Sequence, residues 1–209
     1  MQQPSDTYPA RLDVDYPEER LDRVRTAFRI VLLIPIVILA GLVSGGFVNA
    51  DTGDWAWLGG GGALFLPTLL MLLFRRKYPR WWFDWHLELW RFSNRVGAYV
   101  LLLRDEYPST DETQAVHLDV DYPDAEADLN RFLPIVKWLL AIPHYIALAV
   151  LWVVAIVVTV LAWFAILITG RYPRPMFNFV VGVARWSLRV EAYMWLLTTD
   201  RYPPFRLEP

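Results

Sequence analysis

Residues 12–17, Leu-Asp-Val-Asp-Tyr-Pro, recur without change as residues 118–123. Within each copy, apolar and charged side chains alternate with a period of two, which is typical of a short strand with one buried face. The proline at the end of each copy stops the strand, because it has no backbone N–H to donate. The sequence therefore predicts two equivalent short strands, which can pair with each other as a ribbon.

Further matches follow this hexapeptide in the same order through both halves of the chain. They are residues 33–35 with 141–143, 78–80 with 172–174, 91–96 with 185–190, 98–99 with 192–193, and 107–108 with 202–203. Ordered matches of this kind indicate an internal repeat. We expect a tandem duplication, with repeat 1 at residues 8–108, an acidic linker at 109–114 and repeat 2 at 115–205.

Three long apolar runs lie inside these repeats, at residues 27–48, 55–74 and 132–169. A helix needs roughly 20 apolar residues to cross a bilayer. The first two runs predict a transmembrane hairpin in repeat 1, joined by a Gly-rich turn at residues 45–62 that carries Asp51 and Asp54. The third run predicts a shorter hairpin in repeat 2, which would turn near residues 150–158 without a Gly or Pro.

A third element follows each hairpin, at residues 81–103 and 175–197, where two arginines recur at a spacing of four. This spacing puts them on one face of an amphipathic helix. The high Trp content favours a helix in the membrane interface, and packing into a bundle with the stripe facing a polar cavity is the alternative. The predicted fold is thus a mainly α integral membrane protein, in which each of two tandem repeats has a short β-strand, a transmembrane helical hairpin and an amphipathic interfacial helix.

Basic residues flank both hairpins, whereas the Gly-rich turn has acidic residues only. By the positive-inside rule, the repeated motifs and both termini face the cytoplasm. We therefore expect a multi-pass protein of the bacterial cytoplasmic, or inner, membrane. The net charge of −2 gives no reason to expect nucleic acid as a partner.

The candidate binding residues are the acidic and basic side chains that recur in the repeats. They are Asp13, Asp15, Asp119 and Asp121 in the strands, and Arg91, Arg95, Arg185 and Arg189 in the helices. Four convergent carboxylates would suit calcium or magnesium. Pairing of the carboxylates with the arginines is favoured over a metal, because each repeat supplies both partners.

Residues with catalytic or metal-ligating chemistry are few. The chain has no Cys, which excludes thiolate chemistry, and its three His occupy non-equivalent positions without a metal-ligand spacing. Asp84, His86 and Glu88 are the best candidates for acid–base work on a lipid, yet repeat 2 has no equivalent trio. No catalytic, cofactor-binding or metal-binding residue is predicted.

Four segments of the sequence belong together: residues 118–123, the Thr-Gly-Arg-Tyr-Pro-Arg-Pro stretch at 169–175, the segment 185–193 and the segment 199–205. On these residues, the two repeats resemble a family of bacterial membrane proteins known as domain of unknown function 4389. Repeat 1 departs from this pattern at residues 75–77, which read Arg-Arg-Lys. The resemblance implies a membrane location and brings no activity.

The functional expectation is a non-enzymatic membrane scaffold or accessory subunit. Its cytoplasmic Arg/Asp residues would bind lipid headgroups, a membrane partner complex or further copies of the chain. The alternative is an oligomeric channel or transporter with its pathway at the repeat or subunit interface, since binding sites of duplicated transporters lie between the repeats.

Overall fold

A computed structural model describes residues 8–43, 47–48, 55–56, 60–110 and 112–209 of the chain. In this part of the chain, helices predominate and strands are short. The helices are α1 (Arg23–Ala27), α2 (Arg29–Val43), α3 (Gly60–Leu70, extended by a π-helical turn at Met71–Arg75), α4 (Arg80–Val100), α5 (Leu133–Leu140), α6 (Ile142–Thr169) and α7 (Arg174–Met194). The strands are β1 (Ala10–Val14), β2 (Phe47–Val48), β3 (Trp55–Ala56) and β4 (Val116–Val120).

The repeated hexapeptides form the two main strands, and β1 pairs antiparallel with β4. Leu12 lies opposite Leu118 in the register. Both leucines are buried, as are the residues two positions before and after each of them. The other face of this ribbon is charged and exposed. The period-two pattern thus predicted the strands and their buried face correctly.

The amphipathic helices α4 and α7 cover the buried face of the ribbon in an exchanged arrangement. Strand β1 packs against α7, whereas β4 packs against α4. Each helix begins directly after a proline with extended backbone, Pro79 or Pro173. A residue with left-handed backbone follows the end of each helix, Leu102 with φ 63° or Leu197 with φ 56°. Each strand therefore lies on the helix of the other half of the chain.

Helix α6 forms a third layer beneath α7, and it corrects the predicted second hairpin. It runs without a break for 28 residues through positions 150–158. No Gly or Pro interrupts it there, and Pro143 sits in its first turn, where a missing N–H costs little. A buried stripe of Leu148, Ala155, Ala162 and Ile166 runs along it. The turn predicted near residues 150–158 is wrong, because nothing in that stretch ends the helix.

Helices α2 and α3 take the corresponding place beneath α4. Ile36 of α2 packs with Phe92 and Val96 of α4, and the Trp82 indole of α4 donates to Thr68 Oγ1 of α3 at 2.8 Å. Most of the predicted Gly-rich turn at 45–62, with Asp51 and Asp54, lies outside the described residues. Within that turn the structure describes the start of α3 and the antiparallel pair of β2 with β3.

Among the described residues, α6 is the helix that is long and apolar enough to cross a membrane. At 1.5 Å per residue it is about 42 Å long, more than the roughly 30 Å of a bilayer core. These properties are compatible with a membrane location. Because α6 contacts α7 and α7 contacts β1, helix α7 lies between this apolar helix and the ribbon.

Two helical glycines give a matched test of the packing. A Cβ added at Gly182 would lie 2.9 Å from Leu207 Cβ, whereas one added at Gly97 would meet nothing within 4 Å. We expect Gly182→Ala to destabilise the fold by about 1–3 kcal/mol through overpacking. Gly97→Ala should instead stabilise it by about 0.5–1 kcal/mol, because alanine restricts the unfolded chain. Thermal unfolding in detergent measures both, and equal midpoints for the two variants would contradict the docking of the C-terminal tail on α7.

Candidate functional site

Arg91 of α4 and Arg185 of α7 hold the ribbon in the same way. Arg91 Nε donates to the carbonyl oxygen of Leu118 at 3.0 Å, and Arg185 Nε donates to that of Leu12 at 2.8 Å. Their Nη2 atoms then reach Asp119 at 3.2 Å and Asp13 at 3.1 Å. Each guanidinium therefore binds the backbone and a carboxylate of a strand from the other half of the chain.

Arg95 and Arg189 lie one turn further along the helices and do not reach the strand carboxylates. Arg95 Nη1 donates to the carbonyl oxygen of Ser109 at 2.8 Å. Arg189 donates to the carbonyl oxygens of Arg206, at 3.0 Å, and Glu208. Burial and the neighbouring arginines lower the pKa of Arg189 to about 10. These two arginines fix the chain that leaves each helix.

The remaining strand carboxylates have separate partners. Asp15 lies 3.0 Å from His117 Nε2, and Asp121 pairs with Arg11 at 2.7 Å across the ribbon. The antiparallel register puts opposite charges beside one another and keeps the four carboxylates apart. In the described parts of the chain, no group of three or more His, Asp and Glu side chains could hold a metal ion.

Two buried ion pairs fasten the apolar helices α2 and α5 to the rest of the molecule. Arg29, at the start of α2, pairs with Asp105, and Lys137 of α5 pairs with Asp200 at 2.8 Å. The basic side chains are 2% and 0% exposed. The contacts match closely, because Arg29 also donates to the carbonyl oxygen of Arg104 and Lys137 to that of Thr199.

Sequence reasoning missed these pairs, because it treated Arg29 and Lys137 only as charges flanking the apolar runs. The spacing of the repeats contains a usable signal. Arg29 precedes Pro35 by the same six positions as Lys137 precedes Pro143, and each Asp precedes its Tyr-Pro by two. Basic and acidic residues that recur together beside an apolar run indicate pairing, since an unpaired buried charge is costly.

The acid–base trio predicted from the sequence divides between two faces of α4. Asp84 pairs with Arg80 at 3.2 Å and Glu88 pairs with Arg91 at 2.7 Å on the outer side. His86 is buried, and its Nδ1 lies 3.0 Å from the Trp82 carbonyl oxygen. Burial lowers the pKa of His86. The three side chains therefore do not face one reacting group.

A cavity of about 370 Å³ lies between α4, α7 and the buried face of the ribbon. Most of its wall is apolar, and Phe65, Trp90, Trp152 and Trp195 line it. Glu191 of α7 lies in this wall, and burial raises the pKa of its carboxyl group to about 8. Sequence reasoning missed the cavity, since its walls come from elements that are distant in the sequence.

Comparison with known families gives a match over part of the chain. Residues 134–206 match a family model described as a domain of unknown function (DUF4389). This stretch runs from α5 to the C-terminal tail and includes Arg185, Arg189 and Glu191. No curated protein and no solved structure matches the chain. The match supports the resemblance for the second half of the chain and adds no activity.

The buried ion pairs predict an asymmetric response to substitution. Asp200→Asn leaves the Lys137 ammonium group buried without its counter-charge, so we expect a loss of about 3–5 kcal/mol in the free energy of unfolding. Lys137→Met combined with Asp200→Asn should recover part of that loss, because no buried charge remains. Glu18→Gln, which removes the exposed pair with Arg174, serves as the control and should change stability by less than about 1 kcal/mol. Denaturant titration in detergent measures all three, and an Asp200→Asn variant as stable as the control would refute the role of the pair.

Proposed function

We propose that the protein is a non-enzymatic membrane scaffold or accessory subunit, built by tandem duplication, which embeds one face in lipid and presents a charged ribbon to the aqueous side. The observation that carries this proposal is the separation of the two faces. Exposed large apolar side chains cover α5 and α6, and exposed charged side chains cover the outer face of the ribbon.

The apolar face is much larger than the surface of a soluble protein normally carries. On α6 alone, nine bulky side chains are at least half exposed: Ile146, Val150, Val153, Ile156, Val157, Val160, Leu161, Phe164 and Ile168. Contiguous exposed patches of this kind mark a membrane or protein interface. Lipid is the favoured occupant, since exposed large apolar side chains also cover α2 and α5.

Exposed arginines form a rim at the ends of α1, α4 and α7. The side chains of Arg25, Arg80 and Arg174 are each about two-thirds exposed. Arginine suits this position, because its guanidinium binds phosphate oxygens in a bidentate manner and its stem packs on apolar surface. Anionic lipid headgroups are therefore the proposed contacts of this rim. Among the four arginines named from the sequence, Arg91 and Arg185 contact the ribbon, Arg95 contacts the segment after α4, and Arg189 contacts the C-terminal tail.

The packing favours an orientation in which α6 lies along the membrane plane. Helix α6 packs against α7, and hydrogen bonds join His144 to Trp186 and Trp152 to Ser187. The ribbon, whose outer face carries exposed Arg11, Asp13 and Asp15, covers the opposite side of α7. A helix bound along its length to this charged assembly cannot cross the bilayer without taking those charges into lipid, which is very costly. The multi-pass arrangement expected from run length stays a prediction.

The duplication is supported by equivalent contacts in the two halves. Besides the arginines and the buried ion pairs, the Tyr16 hydroxyl donates to the Tyr172 carbonyl oxygen and the Tyr122 hydroxyl donates to that of Tyr78. The guanidinium groups of Arg174 and Arg80 then stack over the Tyr16 and Tyr122 rings. Repeat 1 is proposed to span 8–108 and repeat 2 to span 115–205.

The absence of Cys from the chain makes single-Cys labelling a clean test of orientation. We expect Glu126→Cys and Arg171→Cys, which flank the α5–α6 segment, to react with a membrane-impermeant maleimide from the same side as Asp13→Cys. Val157→Cys, in the middle of the exposed face of α6, should react only after detergent is added. Labelling of Glu126→Cys and Arg171→Cys from opposite sides would show that α6 crosses the bilayer.

The scaffold function predicts a partner that recognises the outer face of the ribbon. Exchanging the two charges of one cross-strand pair, with Arg11→Asp and Asp121→Arg, keeps the ion pair and inverts the local charge pattern. We expect the exchanged variant to be as abundant in native membranes as the wild type, but to lose at least half of a copurifying stoichiometric partner or additional copy of the chain. The exposed Glu18→Gln is the control. Isolation of the wild-type chain alone, without stoichiometric partner, second copy or bound lipid, would contradict the proposal.

The channel or transporter alternative stays a second prediction. Ion flux by purified protein in liposomes tests it directly, and no flux at any tested gradient would eliminate it.

A further inference from the structure

Glu191 occupies a position at which the fold itself requires no carboxyl group. Its equivalent in the first half of the chain is Gly97, since each follows its second helical arginine by two positions and precedes an Ala-Tyr pair. Both residues line the same cavity between α4 and α7. Helix α4 thus forms without any side chain at this point, so the carboxyl group of Glu191 is not needed to build the helix.

A carboxyl group in an apolar wall costs stability when nothing compensates it. No hydrogen bond or ion pair of the Glu191 side chain occurs within the described residues, although its backbone carbonyl accepts from Trp195 and Leu196. Each hydroxyl, amide and imidazole side chain of the wall already has a hydrogen-bond partner within the chain. Ser187 accepts from the Trp152 indole and donates to the Val183 carbonyl oxygen. A carboxyl group without an internal partner in this wall is available as the counter-charge of a bound cation.

The aromatic side chains in the wall indicate which kind of cation the cavity would bind. Trp90, Trp152, Trp195 and Phe65 surround the cavity, and the Phe65 and Trp195 rings meet edge to face at 5.8 Å. Aromatic walls attract cations through the negative faces of their rings, and they recognise quaternary ammonium groups in particular. A carboxylate adds the charge that such a group needs. A strongly hydrated inorganic ion would find few oxygen ligands here.

We propose that this cavity is a binding site for an organic cation of the quaternary or methylated ammonium class, with Glu191 as its counter-charge and the indole rings as its walls. The volume of about 370 Å³ is in the range of small-molecule sites, roughly 300–1,000 Å³. The same group occurs on soluble amines and on choline headgroups of lipids, and the experiment below distinguishes these sources.

The test uses benzyltrimethylammonium as the probe and neopentylbenzene, its neutral carbon analogue, as the control ligand. The full chain is placed in nanodiscs of phosphatidylglycerol, and binding is followed by quenching of Trp fluorescence and by calorimetry. We expect saturable binding of the cation and at least tenfold weaker binding of the neutral analogue. Glu191→Gln, which keeps the shape and removes the charge, should weaken cation binding about tenfold or more. Glu18→Gln is the same substitution at an exposed site and should leave binding unchanged.

Gly97→Leu provides a second, steric test. A Cβ at position 97 meets no neighbour within 4 Å, and Gly97 lines the cavity, so we expect the leucine side chain to occupy the cavity. We expect this variant to unfold at the wild-type temperature or above it and to lose cation binding. Saturable cation binding that survives Gly97→Leu, or that is equal in Glu191→Gln and the wild type, would overturn the proposal. Absence of saturable binding to the wild type would do so as well.

Nanodiscs of phosphatidylcholine then identify the source of the cation. Competition of this lipid with the probe assigns the site to a lipid headgroup, and unchanged probe affinity assigns it to a soluble amine.

The dependence on pH gives an independent readout, because the probe carries a permanent charge. Affinity should rise about tenfold per pH unit as the pH approaches 8 from below and level off above it, since the pKa of the Glu191 carboxyl is about 8. Among the wall residues, His86 is the other titratable group, and its lowered pKa leaves it neutral in this range.

Discussion

The antiparallel pairing of β1 with β4 is the constraint on which the rest of the structure depends. A two-stranded ribbon is marginal in water by itself, so its apolar face must be covered. Helices α4 and α7 cover it, and Arg91 and Arg185 bind the strand carbonyl oxygens and carboxylates from the sides. The register places Leu12 opposite Leu118, although about half of the chain lies between these two residues. Both halves of the molecule are thereby held around one centre.

The pairing of β1 with β4 also determines where the charged side chains lie. Opposite charges alternate on the outer face of the ribbon, so the four strand carboxylates pair locally and do not gather around an ion. The buried pairs of Arg29 with Asp105 and Lys137 with Asp200 lie at the junction between the apolar helices and the loops that follow α4 and α7. These two ion pairs, which occupy equivalent positions in the two halves, therefore attach α2 and α5 to the loops after α4 and α7.

The strands, the two amphipathic helices and the pairing of two arginines with two strand carboxylates could be predicted from the sequence. Each depends on a local pattern: alternation in the hexapeptides, a spacing of four between arginines, and recurrence of both in each half. The second hairpin was predicted wrongly, because an apolar run of sufficient length for two crossings says nothing about where a helix stops. Only the lack of Gly and Pro near residue 154 indicated a continuous helix. The exchange of strands, the partners of Arg95 and Arg189, and the cavity beside Glu191 depend on packing between distant segments, which no local pattern encodes.

The exchanged strands have a consequence for the history of the fold. Each half of the chain lacks a covering for its own helix and carries the strand that covers the helix of the other half. Under the duplication proposed above, a single copy could satisfy these contacts only by association with an identical copy, as a closed twofold dimer with self-complementary surfaces. Fusion of the two copies in one gene would release each from the need to remain identical. Under the proposed duplication, Gly97 and Glu191 occupy equivalent positions that differ between the two copies, a divergence that a homodimer could not have expressed.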